Sequence, residues 1–157
     1  DKFFYRGKEH GLSLTEGREE TVKIVEGLIV VTFIDDRPID RIAIKTLLEG
    51  WYFKESVKIL KKRTNEFAKK MKVQPSGMTV KNYISKWGSC TAHNKISYNW
   101  RIIMAPDYII DYLIIHELSH ITEPNHSKDF WQTVAKYCDG YQTKRKWLRE
   151  NGYRLIL

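Results

Sequence analysis

Cysteine is nearly absent. Cys90 and Cys138 are the only two in 157 residues. That is too few for a disulfide framework, so the chain reads as cytoplasmic, with free thiols. Long apolar runs are missing as well. The longest, Leu28 to Ile34, is interrupted by Thr32. Crossing a bilayer takes about 20 apolar residues, so no membrane partner is expected. No cationic leader with an apolar stretch opens the chain, and a secretory signal is not expected. There is no repeat and no low-complexity stretch. Hydrophobic residues make up 42% and glycine adds nine more positions, an ordinary globular composition. Disorder, collagen and coiled coil are thereby excluded as descriptions of the whole. The length suits one domain, which buries about 68–70% of its unfolded surface without staples. Acidic residues are in short supply: 19 Asp and Glu stand against 27 Lys and Arg, a net charge of +8. That balance favours an acidic partner such as nucleic acid, although charge speaks to association and not to fold.

Residues 21–34 read as two β-branched strands around a Glu26-Gly27 turn, and Asp35 to Pro38 ends that unit. From Ile39 to about Lys72 the pattern is helical. Ile42, Leu47, Val57, Leu60 and Phe67 are spaced to face a core, and Gly50 marks a possible break. Met78–Tyr83, Ser85–Cys90 and Lys95–Trp100 read as three short strands, the last a candidate edge for an extended substrate. Pro106 opens a second helix reaching about Thr122, with Asp107 meeting its positive end. Pro124-Asn125 stops it. Ser127 can cap a third helix over Lys128–Cys138, and a fourth covers about Thr143–Asn151. The chain divides into an N-terminal β unit, residues 1–37, and a catalytic region, 38–157, expected to form one compact domain.

The chemistry lies at residues 116–126. His116-Glu117-Leu118-Ser119-His120 is an H-E-x-x-H motif. Residues i and i+4 share one helical face, so His116 and His120 can aim two imidazoles at one ion. Glu117 is rotated about 100° away, which suits a residue beside the metal that takes a proton from water. Zinc favours imidazole nitrogen, and a catalytic site keeps one position open. His126 follows His120 by the offset of the third histidine in the metzincin pattern, with Glu123 where that pattern has glycine. Pro124 and Asn125 supply the break instead, because proline bars the helix and restricts the residue before it. Expected ligands of one zinc ion are therefore His116, His120 and His126, with Glu117 as general base. Cys90 is the rival third donor. With His126 in that place, it reads as a packing thiol. His93 and His10 stand without partner ligands. Trp131, Tyr137, Tyr141 and Trp147 read as helix core, and Tyr137 or Tyr141 as possible oxyanion donors.

Beyond the motif, Trp87-Gly88-Ser89-Cys90, Ile96 to Trp100, Pro106, Asp111-Tyr112, Asn125-His126-Ser127 and Phe130-Trp131 stand at matching distances around it. Residues 78–150 resemble the YgjP-like metallopeptidase family, relatives of SprT-like zinc peptidases. The resemblance implies an α+β, zincin-like metallopeptidase domain, with a small antiparallel sheet packed on the H-E-x-x-H helix and further helices. It also implies zinc at His116, His120 and His126, catalysis by Glu117, and a protein or peptide substrate. Lys86 stands where the family often has Arg and Thr91 where it often has Ser. Neither change is expected to touch the zinc site.

Charge is uneven along the chain. Residues 54–72 hold eight Lys and Arg against Glu55 and Glu66, and residues 144–154 add Lys144, Arg145, Lys146, Arg149 and Arg154 against Glu150. Clustered cations release counterions from phosphate, so helix 54–72 is a candidate nucleic-acid surface as well as a solvated face. Two function classes follow. One is a zinc peptidase. The other is a nucleic-acid-associated binding protein whose zinc is structural or vestigial. The intact Glu117 favours the first, since a structural site needs no base and usually closes its coordination with a fourth protein ligand. A metal-dependent ribonuclease of YbeY type is a third reading, although those proteins lack Glu beside the first histidine.

Overall fold

The computed structural model describes residues 1–34 and 39–157. The expected end of the first unit, Asp35 to Pro38, lies outside them. Among the described residues, seven strands and four helices combine in an α+β frame. β1 (Lys2–Tyr5) and β2 (Lys8–Gly17) form a hairpin through Arg6 and Gly7, both at positive φ. β3 (Thr21–Val25) and β4 (Leu28–Ile34) form the expected hairpin, turning on Glu26 and Gly27 at φ 50° and 82°. β2 and β4 run parallel, giving the order β1-β2-β4-β3. The first hairpin was not expected from the sequence. Its second strand is rich in polar residues, and its turn is closed by the tertiary structure. Arg6 and Gly7 donate backbone N–H groups to Ile103 and Met104, and a Cβ on Gly7 would meet Pro106 Cα at 2.8 Å.

α1 (Arg41–Met71) is one unbroken helix of 31 residues, and Gly50 does not interrupt it. The Asp40 carboxylate caps its start by accepting from Ala43 N at 2.8 Å. Its buried stripe is Leu48, Tyr52, Ser56, Leu60, Thr64, Ala68 and Met71. Ile42, expected inside, is 75% exposed. Polar members of the stripe are satisfied internally: Ser56 donates to Phe53 O at 2.7 Å, and the Thr64 and Tyr98 hydroxyls lie 3.0 Å apart. Ile29 and Val31 of β4 join the same buried cluster as Leu48 and Tyr52.

β5 (Gly77–Lys81), β6 (Gly88–Cys90) and β7 (Lys95–Asn99) form the second sheet, in the order β5-β7-β6. β6 and β7 are antiparallel, as expected, but β5 runs parallel to β7. β7 is thus the central strand, and the edge facing the site is β6. A 3-10 turn (Trp100–Met104) leads to α2 (Asp107–Ser119), which follows Pro106. α2 is apolar on almost every side and correspondingly buried. α3 (Lys128–Tyr137) is capped by Ser127, whose hydroxyl accepts from Phe130 N, and α4 (Tyr141–Asn151) closes the frame against α2. Among the described residues, no helix is long and apolar enough to cross a membrane.

One ion-pair cluster ties the N-terminal hairpin and α1 to the start of α2. Arg6 grips Asp107 with two hydrogen bonds of 2.8 Å, and Arg63 pairs with Asp111 and, at 3.3 Å, with Asp107. Arg6 holds the Asp107 carboxyl below its ordinary value of 3.8. The charged form is the one stabilised, so the contribution is complete above about pH 4 and lost as pH falls further. Asp107→Ala is expected to lower stability by about 1 kcal/mol at neutral pH, since the pair is half exposed and screened. In urea titrations the gap from wild type should close below about pH 4. A gap constant down to about pH 2 would contradict this role for the pair.

Candidate metal centre

α2 places His116 and Glu117 in its last turn, and His120 lies at its C-cap. The regular helix ends at Ser119, earlier than the expected Thr122. Turn bonds from His120 N to Glu117 O and from Ile121 N to Leu118 O follow. The chain then passes Pro124 and returns His126 to the end of α2. One nitrogen from each of His116, His120 and His126 lies within 4.8 Å of the others. The Nε2 atoms of His116 and His126 are 3.3 Å apart.

Tautomers follow from the outer partners. His120 Nδ1 lies 3.1 Å from Glu123 O, a carbonyl that can only accept. In the neutral ring, His120 carries its proton on Nδ1 and leaves Nε2 as a free lone pair. His116 Nδ1 lies 3.4 Å from the Tyr112 hydroxyl. Burial first, then the neighbouring His120 and His126, lowers the His116 pKa to about 3. A neutral imidazole makes no ion pair with Glu117, although Nε2 and Oε1 are 4.0 Å apart. Three imidazole nitrogens turned toward one point fit a divalent transition metal, and the donor chemistry suits zinc.

An aromatic wall fixes the rings. His120 stacks on Phe130 at 4.4 Å, and Phe130 is wholly buried. His126 stacks on Trp131 at 5.9 Å, and Trp131 stacks in turn on Tyr141 at 5.0 Å. Trp131 is therefore a wall of the site as well as part of the helix packing. Tyr137 and Tyr141, the possible oxyanion donors, do not line the cleft.

Glu117 is only 4% exposed, and burial pushes its carboxyl up to about 7. The Lys86 ammonium opposes that rise. Gly88 explains the glycine in the Trp87-Gly88-Ser89-Cys90 block. A Cβ there would sit 3.1 Å from Glu117 Cγ, Glu117 Oε1 and Ser97 O. Gly88, Ser89 and Cys90 of β6 form one side of a cleft of about 500 Å3, opposite the histidines and Glu117. Cys90 is half buried, with Sγ 3.7 Å from Thr91 O, and stands outside the histidine cluster. His10 lies in the other sheet, with Nδ1 3.0 Å from Gly27 O, and His93 lies in the turn before β7. Sequence reasoning passed over β6 as the open edge, because strand order leaves no local signal.

An H-E-x-x-H helix set against an edge strand within an α+β frame defines a zincin-like metallopeptidase fold. The YgjP-like metallopeptidase domain matches residues 1–151, and the chain belongs to that family. Among solved structures, the fold is similar to the metallopeptidase zymogen jannalysin of Methanocaldococcus jannaschii: 22% identity, TM-score 0.51, covering 62% of this chain and 97% of that one. It is also similar to the zymogen abylysin of Pyrococcus abyssi, at 17% identity and TM-score 0.52, covering 60% and 93%. Wss1 of Saccharomyces cerevisiae superposes more loosely, at 13% identity and TM-score 0.46, covering 94% and 99%. No curated protein matches the chain.

Proposed function

We propose that the protein is a zinc-dependent peptidase in which His116, His120 and His126 hold one metal ion and Glu117 is the general base. The observation that carries this reading is the convergence of three imidazole nitrogens within 4.8 Å beside a buried carboxyl. Membership in a metallopeptidase family supports it. A zinc ion so held supplies Lewis acidity, polarising a carbonyl and lowering the pKa of water. The chain's own residues do the rest. The free edge of β6 pairs with an extended peptide and presents its backbone to the cleft. Glu117 accepts the proton of the attacking water and passes it to the departing amine. Phe130 and Trp131 pack against the imidazoles and keep them in place. The β unit 1–37 and the region 38–157 act as one domain in this reading, with α2 braced by Arg6.

Glu117→Gln keeps the shape of the side chain but cannot take a proton. It is expected to retain zinc and lose cleavage of an unfolded protein substrate by at least about 100-fold. His126→Ala is expected to lose most of the metal. Elemental analysis and a cleavage assay read both outcomes. Wild-type activity in a zinc-loaded Glu117→Gln protein would overturn the assignment.

One observation favours a second reading, a nucleic-acid-associated binding protein. Lys54, Lys58, Lys61, Lys62, Lys69, Lys70 and Lys72 are all exposed on or just past α1, and among the described residues none is ion-paired. Arg63 is not part of that face, because it is engaged by Asp107 and Asp111. Replacing Lys58, Lys61, Lys62 and Lys69 with Gln is expected to weaken binding of duplex DNA and flatten its salt dependence. Wild type that binds no DNA at low salt leaves the stripe a solvated face.

A further inference from the structure

Lys86 and Trp87 lead into β6 and line a second cavity, of about 470 Å3. Its opposite wall comes from the end of α4 and the 3-10 turn Gly152–Arg154, through Arg149, Gly152 and Tyr153. Trp87 packs so closely there that a Cβ on Gly152 would meet the indole at 2.9 Å. Three cations line the cavity: Lys86, Arg101 and Arg149. Among the described residues, no Asp or Glu lines it and none of the three cations is ion-paired. Arg101 is held in place by donating to Asn82 Oδ1 at 2.6 Å and to Tyr83 O at 3.3 Å. Lys86 Nζ rests 4.6 Å from the Tyr83 ring centroid. Ile84 and Tyr153, 103% and 76% exposed, form an apolar rim.

The cavity continues the edge that flanks the metal centre. Gly88 belongs to the metal cleft, and Lys86 and Trp87, just before it, belong to this cavity. A peptide paired with the edge of β6 extends along the strand toward Lys86 and Trp87, and so toward this cavity. Three uncompensated cations around one pocket favour a carboxylate, and the rim suits an apolar neighbour. The α1 lysines, by contrast, run in line along a helix and suit a phosphate backbone.

We propose that this cavity is a substrate subsite that takes a carboxylate of the bound peptide, which makes the enzyme selective for acidic sequences beside the cleaved bond. The proposal rests on the peptidase reading above, and its test separates the two. Fluorescein-labelled peptides carrying Glu or Gln at each position in turn, with free or amidated C-termini, are titrated against zinc-loaded Glu117→Gln protein by anisotropy. A Glu peptide is expected to bind at least about tenfold more tightly than its Gln counterpart. Retention of that preference after amidation assigns an internal side chain. Weaker binding of the amidated form, with Glu and Gln peptides alike, would assign the C-terminal carboxylate and overturn the selectivity for acidic sequences. Arg149→Glu and, from the other wall, Lys86→Gln are expected to abolish the preference, and Arg149→Lys to keep most of it. Equal binding of Glu and Gln peptides, absence of binding, or a preference that survives both variants would overturn the subsite. So would a single-stranded oligonucleotide that displaces the peptide and itself depends on Arg149. Cleavage by wild type distinguishes the two ideas. Equal cutting of Glu and Gln peptides removes the subsite and leaves the peptidase. Carboxylate-selective binding with no cutting of any peptide removes the peptidase and leaves the cavity.

Discussion

Helix α2 must be buried on nearly every side and still end in polar chemistry. Ile109, Ile110, Leu113, Ile114 and Leu118 are packed inside the molecule, and His116 and Glu117 occupy the last turn of the same helix. A polar group can be kept there only where it finds a partner. The structure meets that constraint by stopping the helix at Ser119 and bringing the chain back past Pro124. His126 then lies against His116, while the Glu123 carbonyl fixes the His120 tautomer. The remaining nitrogen lone pairs converge, and a cation is their natural partner. The placement of β6, α3 and the aromatic wall all follow from how this helix end is enclosed.

Glu117 shows the electrostatic side of the same constraint. Burial raises its carboxyl toward neutrality, and the ammonium of Lys86 opposes that rise. Gly88 leaves just enough space for the carboxylate beside the edge strand. A group with these neighbours is suited to holding and releasing a proton near neutral pH. The clasp of Arg6 and Arg63 on Asp107 and Asp111 acts at the far end of α2 and anchors the helix to the N-terminal hairpin and α1.

Features with a local cause were legible in the sequence. The 116–126 spacing, the Glu26-Gly27 turn, the Ser127 cap and the α+β class all rest on short-range rules, and the structure has His116, His120 and His126 together. Features set by distant contacts were not. Ile42 looks like a core residue by spacing, but the chain turns α1 so that Ser56 and Thr64 face inward, where backbone and tyrosine partners satisfy them. β2 reads as polar and becomes a strand by pairing with β1 and, in parallel, with β4. The parallel match of β5 to β7 moves Lys95–Asn99 to the centre of its sheet and leaves β6 as the edge. Non-local pairing of this kind has no signature in a short window of residues.

X-ray absorption at the zinc edge of the purified, zinc-loaded protein reads directly which atoms surround the metal. Three imidazole nitrogens at about 2.0–2.1 Å are expected around the zinc with a light oxygen donor beside them, and no sulfur. Cys90→Ser should leave that spectrum unchanged. A zinc–sulfur distance of about 2.3 Å in the wild type, lost in Cys90→Ser, would contradict the three-histidine centre.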